Sequence, residues 1–331
     1  MNPTITALDK ISVALLEVYE AGRSASLETF QQVALEQLRS CLRFTSSWWG
    51  EATMTPAGLD IHQSYTSNQP PELVKEYLAV RDEDDVAVGA FNLTKPGPVT
   101  LRVHAPTVFR ENAFAGLRSY AKKLGHQSDL ITYHADCENE FLEWVSLYRP
   151  NPDDHWHDNE YRLGKILIPH LFEAVRINRD LGHARLYRAN HEFTFEYAVA
   201  DRRGFLLHAD AGFFNILQEE FANSIRRRLP EGLMNRLMTD HLFRGRRIAI
   251  LAKGSAGLLF LRVRKLISAD ILTERERTVA NFLVLVGYTH KAVARQLAVS
   301  PDTVKSHIKT IYRKVSVHNR AGLIALMHCM Q

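Results

Sequence analysis

The amino-acid sequence predicts an α+β protein, in which two N-terminal α/β domains precede an all-α domain of four helices. Three observations lead to this prediction. Over the first 265 residues, short runs of β-branched and aromatic residues alternate with longer runs of helical periodicity. The last sixty or so residues show helical periodicity alone. The length of 331 residues exceeds what one hydrophobic core holds and suits two or three domains.

The first predicted domain, residues 1–185, has helices at both ends and strands between them. Apolar residues recur at helical spacing over 5–42, with a break at 21–24, which predicts two helices. A long amphipathic helix is predicted at 161–180. Between them, strands are predicted at 44–50, 61–66, 99–103, 130–133 and 141–148, and a helix at 71–80. This layout resembles that of GAF domains, and the resemblance implies a sensor.

Aromatic residues of the first domain are candidates for lining an apolar ligand pocket. The candidates are Trp48, Trp49, Tyr65, Tyr77, Phe91 and Phe109. Aromatic side chains on strands also form ordinary hydrophobic core, and that alternative stays open.

The second predicted domain, residues 190–266, begins with a hairpin. A strand at 193–200 leads through a tight Asp-Arg-Arg-Gly turn at 201–204 into a strand at 205–208. A helix is predicted at 213–228, followed by paired strands at 247–251 and 258–263. This order of elements resembles a PAS domain, which also implies a sensor.

Charge is distributed unevenly along the chain. Residues 1–225 carry 21 Lys and Arg against 31 Asp and Glu, whereas 226–265 carry 11 against 2 and 270–331 carry 9 against 4. An acidic N-terminal part joined to a basic C-terminal part is expected when only one end contacts phosphates. A merely solvated basic surface is the alternative.

The third predicted domain, residues 270–331, contains helices with recognisable caps. Thr273 and Glu276 have the spacing of a capping box, and Gly287 suits the left-handed residue that ends a helix. Thr289 then caps a second helix, and Ser300 caps a third, with Pro at its first position.

The third helix of this domain has two different faces. Its apolar side consists of Val304, Ile308, Ile311 and Val315, at intervals of four, three and four. The opposite side carries Lys305, Ser306, Lys309 and Arg313. This arrangement lets a helix lie in the major groove with cations near bases and phosphates, although a solvated amphipathic helix has the same pattern.

The motifs of the third domain match a known family at fixed spacing. They read Leu272-Thr-x-Arg-Glu-Arg, Gly287-x-Thr-x-Lys-x-Val-Ala, Leu297-x-Val-Ser-x-x-Thr-Val-Lys-x-His-Ile, Ile311-Tyr-Arg-Lys-Val and Val317-x-Asn-Arg-Ala. The domain resembles the LuxR-type (FixJ/NarL-type, GerE-like) helix-turn-helix. Two positions depart from the family, Ala292 where Glu is usual and Ser316 where Gly is usual.

The resemblance implies double-stranded DNA as partner and a homodimer. It implies that Lys305, Ser306 and Lys309 enter the groove, and that Thr303 and His307 lie at the DNA backbone. A fourth helix at 319–328 would support dimerisation.

The sequence carries no signature of a catalytic, metal or membrane site. GxSxG, CxxC and HExxH are absent, 253–257 lacks P-loop spacing, and three scattered cysteines build no disulfide framework. The His and Asp residues at 153–158 are too close in sequence to converge on one metal ion. No apolar run reaches the roughly 20 residues that span a membrane. We therefore expect a cytoplasmic protein without enzymatic activity, metal, cofactor or membrane association.

The leading hypothesis is a DNA-binding transcriptional regulator whose first 265 residues respond to a signal, for example a small-molecule effector. An enzyme or a protein-interaction domain tethered to a DNA-binding tail is the alternative. A phosphorelay receiver is disfavoured, because the acidic residues at 81–85 follow a predicted helix rather than an early strand. An acyl-homoserine-lactone sensor is disfavoured because Val74 stands where Trp is expected.

Overall fold

The computed structural model describes residues 7–55, 58–91, 97–136, 141–187, 195–221, 227–266, 272–284, 286–315 and 317–328. The chain divides into two compact units, Met1–Leu186 with Ser255–Leu258, and Tyr187–Gly254 with Leu259–Gln331. The division into three domains stays a prediction.

The first unit is built on an antiparallel sheet of five strands in the order β2-β1-β5-β4-β3. The strands are β1 (Ser46–Thr55), β2 (Gly58–Ser67), β3 (Val99–His104), β4 (Ser128–Asp136) and β5 (Phe141–Arg149). The helices are α1 (Ala7–Ser24), α2 (Phe30–Arg39), α3 (Leu73–Leu78), α4 (Asp85–Phe91), α5 (Ala105–Val108), α6 (Ala115–Leu124) and α7 (Asp158–Leu186). The five predicted strands and the paired N-terminal helices are confirmed, while α4, α5 and α6 were not predicted.

Helices cover both faces of this sheet, because successive residues of a strand point to opposite sides. One hydrophobic core joins α1, α2 and α7 to one sheet face and includes Trp49, Leu130 and Val145. A second core on the other face includes Trp48 and Trp144 and involves α3 to α6. We call this sheet with its helices the first-sheet domain.

The second unit contains another five-stranded antiparallel sheet, in the order β7-β6-β10-β9-β8. Its strands are β6 (Glu196–Ala200), β7 (Leu206–Ala209), β8 (Leu242–Arg244), β9 (Ile248–Ser255) and β10 (Leu258–Lys265). Two helices, α8 (Ala211–Gln218) and α9 (Glu231–Asp240), connect β7 to β8. One compact core lies between these helices and the sheet. We call this region the second-sheet domain.

The tight turn at 201–204 is confirmed. The buried Asp201 carboxylate accepts the backbone N–H groups of Arg203 at 2.9 Å and Phe205 at 2.7 Å, and Gly204 has a φ of +85°. Residues 193–194, the start of the predicted first strand, lie outside the described residues.

The predicted helix at 213–228 is wrong in its second half. The helix α8 ends at Gln218, and 222–226 lie outside the described residues. Leu206 donates its backbone N–H to the carbonyl of Arg227 at 2.7 Å, and Leu229 donates to Gly204 at 2.8 Å. These bonds hold residues 227–229 outside any helix, so the apolar spacing did not predict where the helix ends.

The rest of the second unit is a bundle of four helices: α10 (Glu274–Val284), α11 (His290–Leu297), α12 (Pro301–Lys314) and α13 (Arg320–His328). Their shared core includes Val279, Leu283, Val293, Ile311 and Leu323. Residues 267–270, a candidate hinge before this bundle by their position between the predicted domains, lie outside the described residues.

Candidate nucleic-acid interface and internal cavity

The predicted capping box at the start of α10 is present. The backbone N–H of Glu276 donates to the Thr273 hydroxyl at 3.3 Å, and the N–H of Thr273 donates to the Glu276 carboxylate at 2.8 Å. The same carboxylate accepts a hydrogen bond from Lys314 at 2.7 Å, which ties the start of α10 to the end of α12. One buried carboxylate therefore fixes both a helix start and a helix crossing.

The helices α11 and α12 begin and end as their caps predict. The Thr289 hydroxyl accepts from the backbone N–H of Ala292 at 3.3 Å, and the Ser300 hydroxyl accepts from Thr303 at 3.0 Å. Between them Ala298 takes a left-handed conformation with a φ of +52°. Because a non-glycine residue disfavours this conformation, the bonds around it hold the turn. Arg275 of α10 braces the turn by donating to the carbonyl of Leu297 at 3.0 Å.

The helix α12 separates its residues as predicted. The apolar positions Val304, Ile308, Ile311 and Val315 are all buried. The predicted contact residues lie on the surface: Thr303, Lys305, Ser306, Lys309 and Arg313 are exposed, and His307 is half-buried. Lys305 forms an ion pair with Asp302 at 3.0 Å, and both side chains are exposed. Such a pair is weak, so the ammonium can exchange its partner for a phosphate or a base.

The end of α10 and the two positions that depart from the family pattern bear on the sequence prediction. Val286 continues the helical spacing of the buried Val279 and Leu283 but is 52% exposed, because α10 ends at Val284 and Gly287 turns the chain with a φ of +75°. Ala292 replaces a usual Glu, yet its N–H is bonded to Thr289. Ser316 lies outside the described residues.

The fourth helix is anchored to the first. Asn319 accepts the backbone N–H of Gly322 at 2.8 Å, and Arg320 donates to the carbonyl of Leu283 at 2.6 Å. The proposed role of this helix in dimerisation stays a prediction.

The aromatic residues predicted to line a pocket do not all lie on one face of the first sheet. Trp48 and Trp49 are neighbours on β1 and point to opposite sides. Trp49 packs on Phe30, with ring centroids 5.9 Å apart, and Tyr65 packs against the same core. Phe91 ends α4, and its side chain lies outside the described residues. Trp48 and Tyr77 come together, with ring centroids 5.1 Å apart, and Phe109 lies in the same core.

Trp48 and Tyr77 line an internal cavity of about 60 Å³ between the sheet and the helices α3 to α6. Its walls are mostly aromatic and aliphatic. The remaining lining residues are Leu59, Asp84, Val86, Val103, Phe109, Leu117, Tyr120, Ala121, His126, Asp129, Ile131, Tyr133, Trp144, Ser146 and Tyr148. The cavity is larger than the roughly 15 Å³ that one water molecule requires.

Three buried polar atoms in this lining have no hydrogen-bond partner among the described residues. They are the indole Nε1 of Trp48, the hydroxyl of Tyr120 and Oδ1 of Asp129. Burial raises the pKa of the Asp129 carboxyl well above its ordinary value. Leaving such groups unpaired typically costs about 1–3 kcal/mol each, so these three atoms are the groups of the lining with which a bound molecule could form hydrogen bonds.

Two further polar residues of the lining are already satisfied. Asp84 accepts the Tyr77 hydroxyl at 2.8 Å and the backbone N–H of Ala87 at 3.0 Å, and burial raises its pKa. His126 stacks on Tyr148 with ring centroids 3.5 Å apart and lies 2.8 Å from the Gln69 amide nitrogen. Burial lowers the pKa of His126 to about 3, so the imidazole is neutral.

Comparisons with known proteins identify the C-terminal region. Residues 270–327 match the family model GerE, described as bacterial regulatory proteins of the luxR family. The C-terminal region is a luxR-type helix-turn-helix domain.

Two curated relatives align with the luxR-type domain. A "Probable transcriptional regulatory protein NarL" of Mycobacterium tuberculosis is 39% identical over 65 residues, 20% of this chain and 30% of the relative. A "Nitrate/nitrite response regulator protein homolog" of Haemophilus influenzae is 36% identical over 77 residues, 23% of this chain and 36% of the relative. The chain thus spans about a third of the length of the curated relatives it matches.

Solved structures share less with this chain. The "N-Acylhomoserine Lactone Dependent LuxR Family" factor CepR2 from Burkholderia cenocepacia is 18% identical, with a TM-score of 0.38, over 54% of this chain and 98% of that one. SdiA of Escherichia coli is 13% identical, with a TM-score of 0.35, over 95% and 94%. TM-scores this low establish no common fold for the whole chain.

The crowded segment at 153–158 forms ion pairs. Asp154 pairs with Arg43 at 2.9 Å, and Asp158 pairs with Arg102 at 2.7 Å. No group of three His, Cys, Asp or Glu side chains suited to a metal ion occurs among the described residues. Within the same part of the chain, no helix is both long and apolar enough to cross a membrane.

The sequence reasoning missed most polar residues of the cavity, namely Asp84, Tyr120, His126 and Asp129. One signal was available on β4, where Asp129 shares the inward alternation of Ile131 and Tyr133. A carboxylate at an apolar position of a strand is an informative exception. The other three lie on short helices and turns without a readable period.

Proposed function

We propose that this protein is a DNA-binding transcriptional regulator that responds to a small molecule bound in its first-sheet domain. The observation that carries the proposal is the exposed polar face of α12 on a luxR-type domain whose helix starts are all capped. The names of the relatives, a transcriptional regulatory protein and a response regulator, support it. Acting on DNA, the protein would work in the cytoplasm.

The residues of α12 divide into two roles under this proposal. Lys305, Ser306 and Lys309 enter the major groove and contact base edges. Thr303, His307 and Arg313 contact the phosphates, which positions the helix without reading sequence. Two copies would bind two half-sites as a homodimer, with α13 contributing to the contact.

The DNA role is tested with the substitution Lys309→Ala in the full chain. We expect specific binding to weaken by about 1–3 kcal/mol if Lys309 reads a base, and the salt slope to fall by about one if it holds a phosphate. The matched control is Lys165→Ala, an exposed lysine of α7. Equal affinity and equal salt dependence in both variants would exclude α12 as the DNA-reading face.

The sensory role is proposed from the cavity. An effector that fits it is uncharged and mostly apolar, and offers both a hydrogen-bond acceptor for Trp48 Nε1 and a donor for Asp129. About 60 Å³ admits a group of a few heavy atoms, so a larger effector must displace side chains of the wall. The layout of strands and helices supports GAF-like and PAS-like sensors for the first-sheet and second-sheet domains respectively.

A thermal-shift screen of the full chain against small metabolites tests the sensory role, because a ligand of the native state raises stability by RT ln(1 + [L]/Kd). A hit should lose its effect in Asp129→Asn or Tyr120→Phe and keep it in Tyr65→Phe, which lies on the other sheet face. Hits that ignore both cavity substitutions would place the effector elsewhere.

A further inference from the structure

The turn between β8 and β9 concentrates positive charge outside the luxR-type domain. Arg244, Arg246 and Arg247 flank Gly245, and all three arginines are exposed. The guanidinium of Arg236 on α9 lies 5.9 Å above the ring of Phe243, next to Arg244. We call residues 244–247 the arginine turn. The described residues place no carboxylate in ion-pair distance of its three guanidinium groups.

The backbone of the arginine turn is held by one carboxylate. Glu220 accepts the backbone N–H of Arg246 at 2.8 Å and that of Arg247 at 2.7 Å. Its carboxyl group lies over Gly245, where an added Cβ would come within 2.5 Å of it. The carboxylate is thus bonded to backbone amides, which fixes the turn and leaves the three guanidinium groups in solvent. The net charge of the turn with Glu220 is positive.

The arginine turn lies where the chain leaves the second sheet toward the luxR-type domain. Leu266, directly after β10, donates its backbone N–H to the carbonyl of Arg247 at 2.7 Å. Leu272 at the start of the luxR-type core follows six residues later, and six extended residues span at most about 22 Å. The β6–β7 turn with Arg202 lies at the other end of the sheet. The strand β6 pairs antiparallel with β10, so the end of β6 lies beside the start of β10.

We propose that the arginine turn binds the phosphate backbone of the DNA duplex beside the half-site that α12 occupies. Guanidinium groups suit this partner because they bind phosphate oxygens through two parallel hydrogen bonds. The short connection keeps the arginine turn near any DNA that α12 holds. The effective concentration of DNA phosphates at the turn is therefore high, which favours DNA as partner over an acidic protein or a lipid surface. The contact would add affinity and salt dependence and no sequence specificity. This inference rests on the proposed DNA-binding function.

The test compares two matched double variants of the full chain. R246Q/R247Q removes two charges from the arginine turn, and R202Q/R228Q removes two exposed arginines from the opposite end of the same sheet. The probe is a fluorescent 40-base-pair duplex of mixed sequence, titrated at several salt concentrations. We expect R246Q/R247Q to reduce the slope of log K against log salt by up to about 1.8 and to weaken binding at least tenfold at low salt. R202Q/R228Q should match the unsubstituted protein.

Two further variants keep the outcomes distinct. K305A/K309A on α12 should lower the slope independently of the turn. R246K/R247K keeps the charge and should keep most of the slope, so a loss there would show that the turn acts on folding and would overturn the proposal. Normal binding by R246Q/R247Q beside weakened K305A/K309A would also overturn it. Absence of salt-dependent binding by the unsubstituted protein would instead overturn the DNA-binding function itself.

Discussion

The first-sheet and second-sheet domains have the same topology and opposite interiors. In each, the strand order places the second strand at one edge, the first and fifth in the middle, and the third at the other edge. Helices connect the second strand to the third in both. The first-sheet domain nevertheless has a cavity whose lining includes polar atoms without a partner among the described residues. In the second-sheet domain, the side chains of Phe213, Leu237 and Leu261 are fully buried in an apolar core. The shared topology therefore does not decide which residues fill the interior.

The two domains also place their charges differently. In the first-sheet domain, Arg179 forms a two-point ion pair with Glu51, at 2.6 and 2.7 Å, with both side chains almost fully buried. Glu143, opposite Glu51 in the sheet, pairs with His134 and Arg176. In the second-sheet domain the arginine turn carries its charge on the surface. The difference teaches that one domain uses charge to fix its interior, while the arginine turn of the other keeps its charge in solvent.

The largest expected effect comes from breaking the buried pair. Arg179→Leu should lower the free energy of unfolding by about 3–5 kcal/mol, because it leaves Glu51 buried and unpaired. Arg246→Leu, on the surface of the second-sheet domain, should change it by less than about 0.5 kcal/mol. Urea unfolding of both variants measures the two values. The double variant R179L/E51L should regain most of the loss; equal losses in single and double variants would show that packing rather than the ion pair is responsible.

The sequence predicted the elements with a clear period and missed those without one. The helix α12 was fully specified, since its cap, proline and apolar stripe all agree. The strands of both sheets, apart from the three-residue β8, were found because their apolar residues are bounded by turn residues. The short helices α4 to α6 were missed, since each has fewer than three full turns and is held by tertiary contacts.

The candidate sites show the same contrast. The DNA face depends on residues within one helix, whose spacing fixes their direction. The cavity depends on residues from all five strands of the first sheet, from the helices α3, α4 and α6 and from connecting turns, so it exists only after the domain has folded. Trp48 and Trp49 illustrate the limit of the sequence analysis. Both were predicted to line one pocket because both are aromatic, but the alternation of β1 points their side chains to opposite faces of the sheet.

The second prediction concerns pH. His126 has a folded pKa of about 3, below the ordinary 6.5, because burial disfavours its charged form. Its contribution to stability is therefore complete above pH 6.5 and is lost as pH falls toward 3, with a slope of up to about 1.4 kcal/mol per pH unit. Burial raises the pKa of Asp129, so the contribution of this carboxyl to stability changes with pH in the opposite direction. Asp129 is present both in the unsubstituted protein and in the His126→Gln variant with which it is compared below.

Urea unfolding of the unsubstituted protein and of His126→Gln between pH 7 and pH 4 measures this slope. The unsubstituted protein should lose more stability on acidification than the variant. His157→Gln, which changes an exposed histidine, should retain the full loss. Parallel curves for His126→Gln and the unsubstituted protein would mean that the imidazole is accessible to protons, and that this side of the cavity is wetter than its burial indicates.

The smallest expected effect comes from removing one buried tyrosine hydroxyl in each domain. The two substitutions should change the free energy of unfolding in opposite directions. Tyr120→Phe removes a buried hydroxyl without a partner, so the effector-free protein should keep its stability or gain up to about 1 kcal/mol. Tyr187→Phe removes a hydroxyl that lies 2.7 Å from the carbonyl of Phe260 and 3.2 Å from that of Leu251, and should lose about 1 kcal/mol. Thermal unfolding of both variants measures the difference. A loss in Tyr120→Phe as large as that in Tyr187→Phe would show that the Tyr120 hydroxyl is already satisfied, and the cavity would then lack one of the unpaired groups on which the proposed effector site rests.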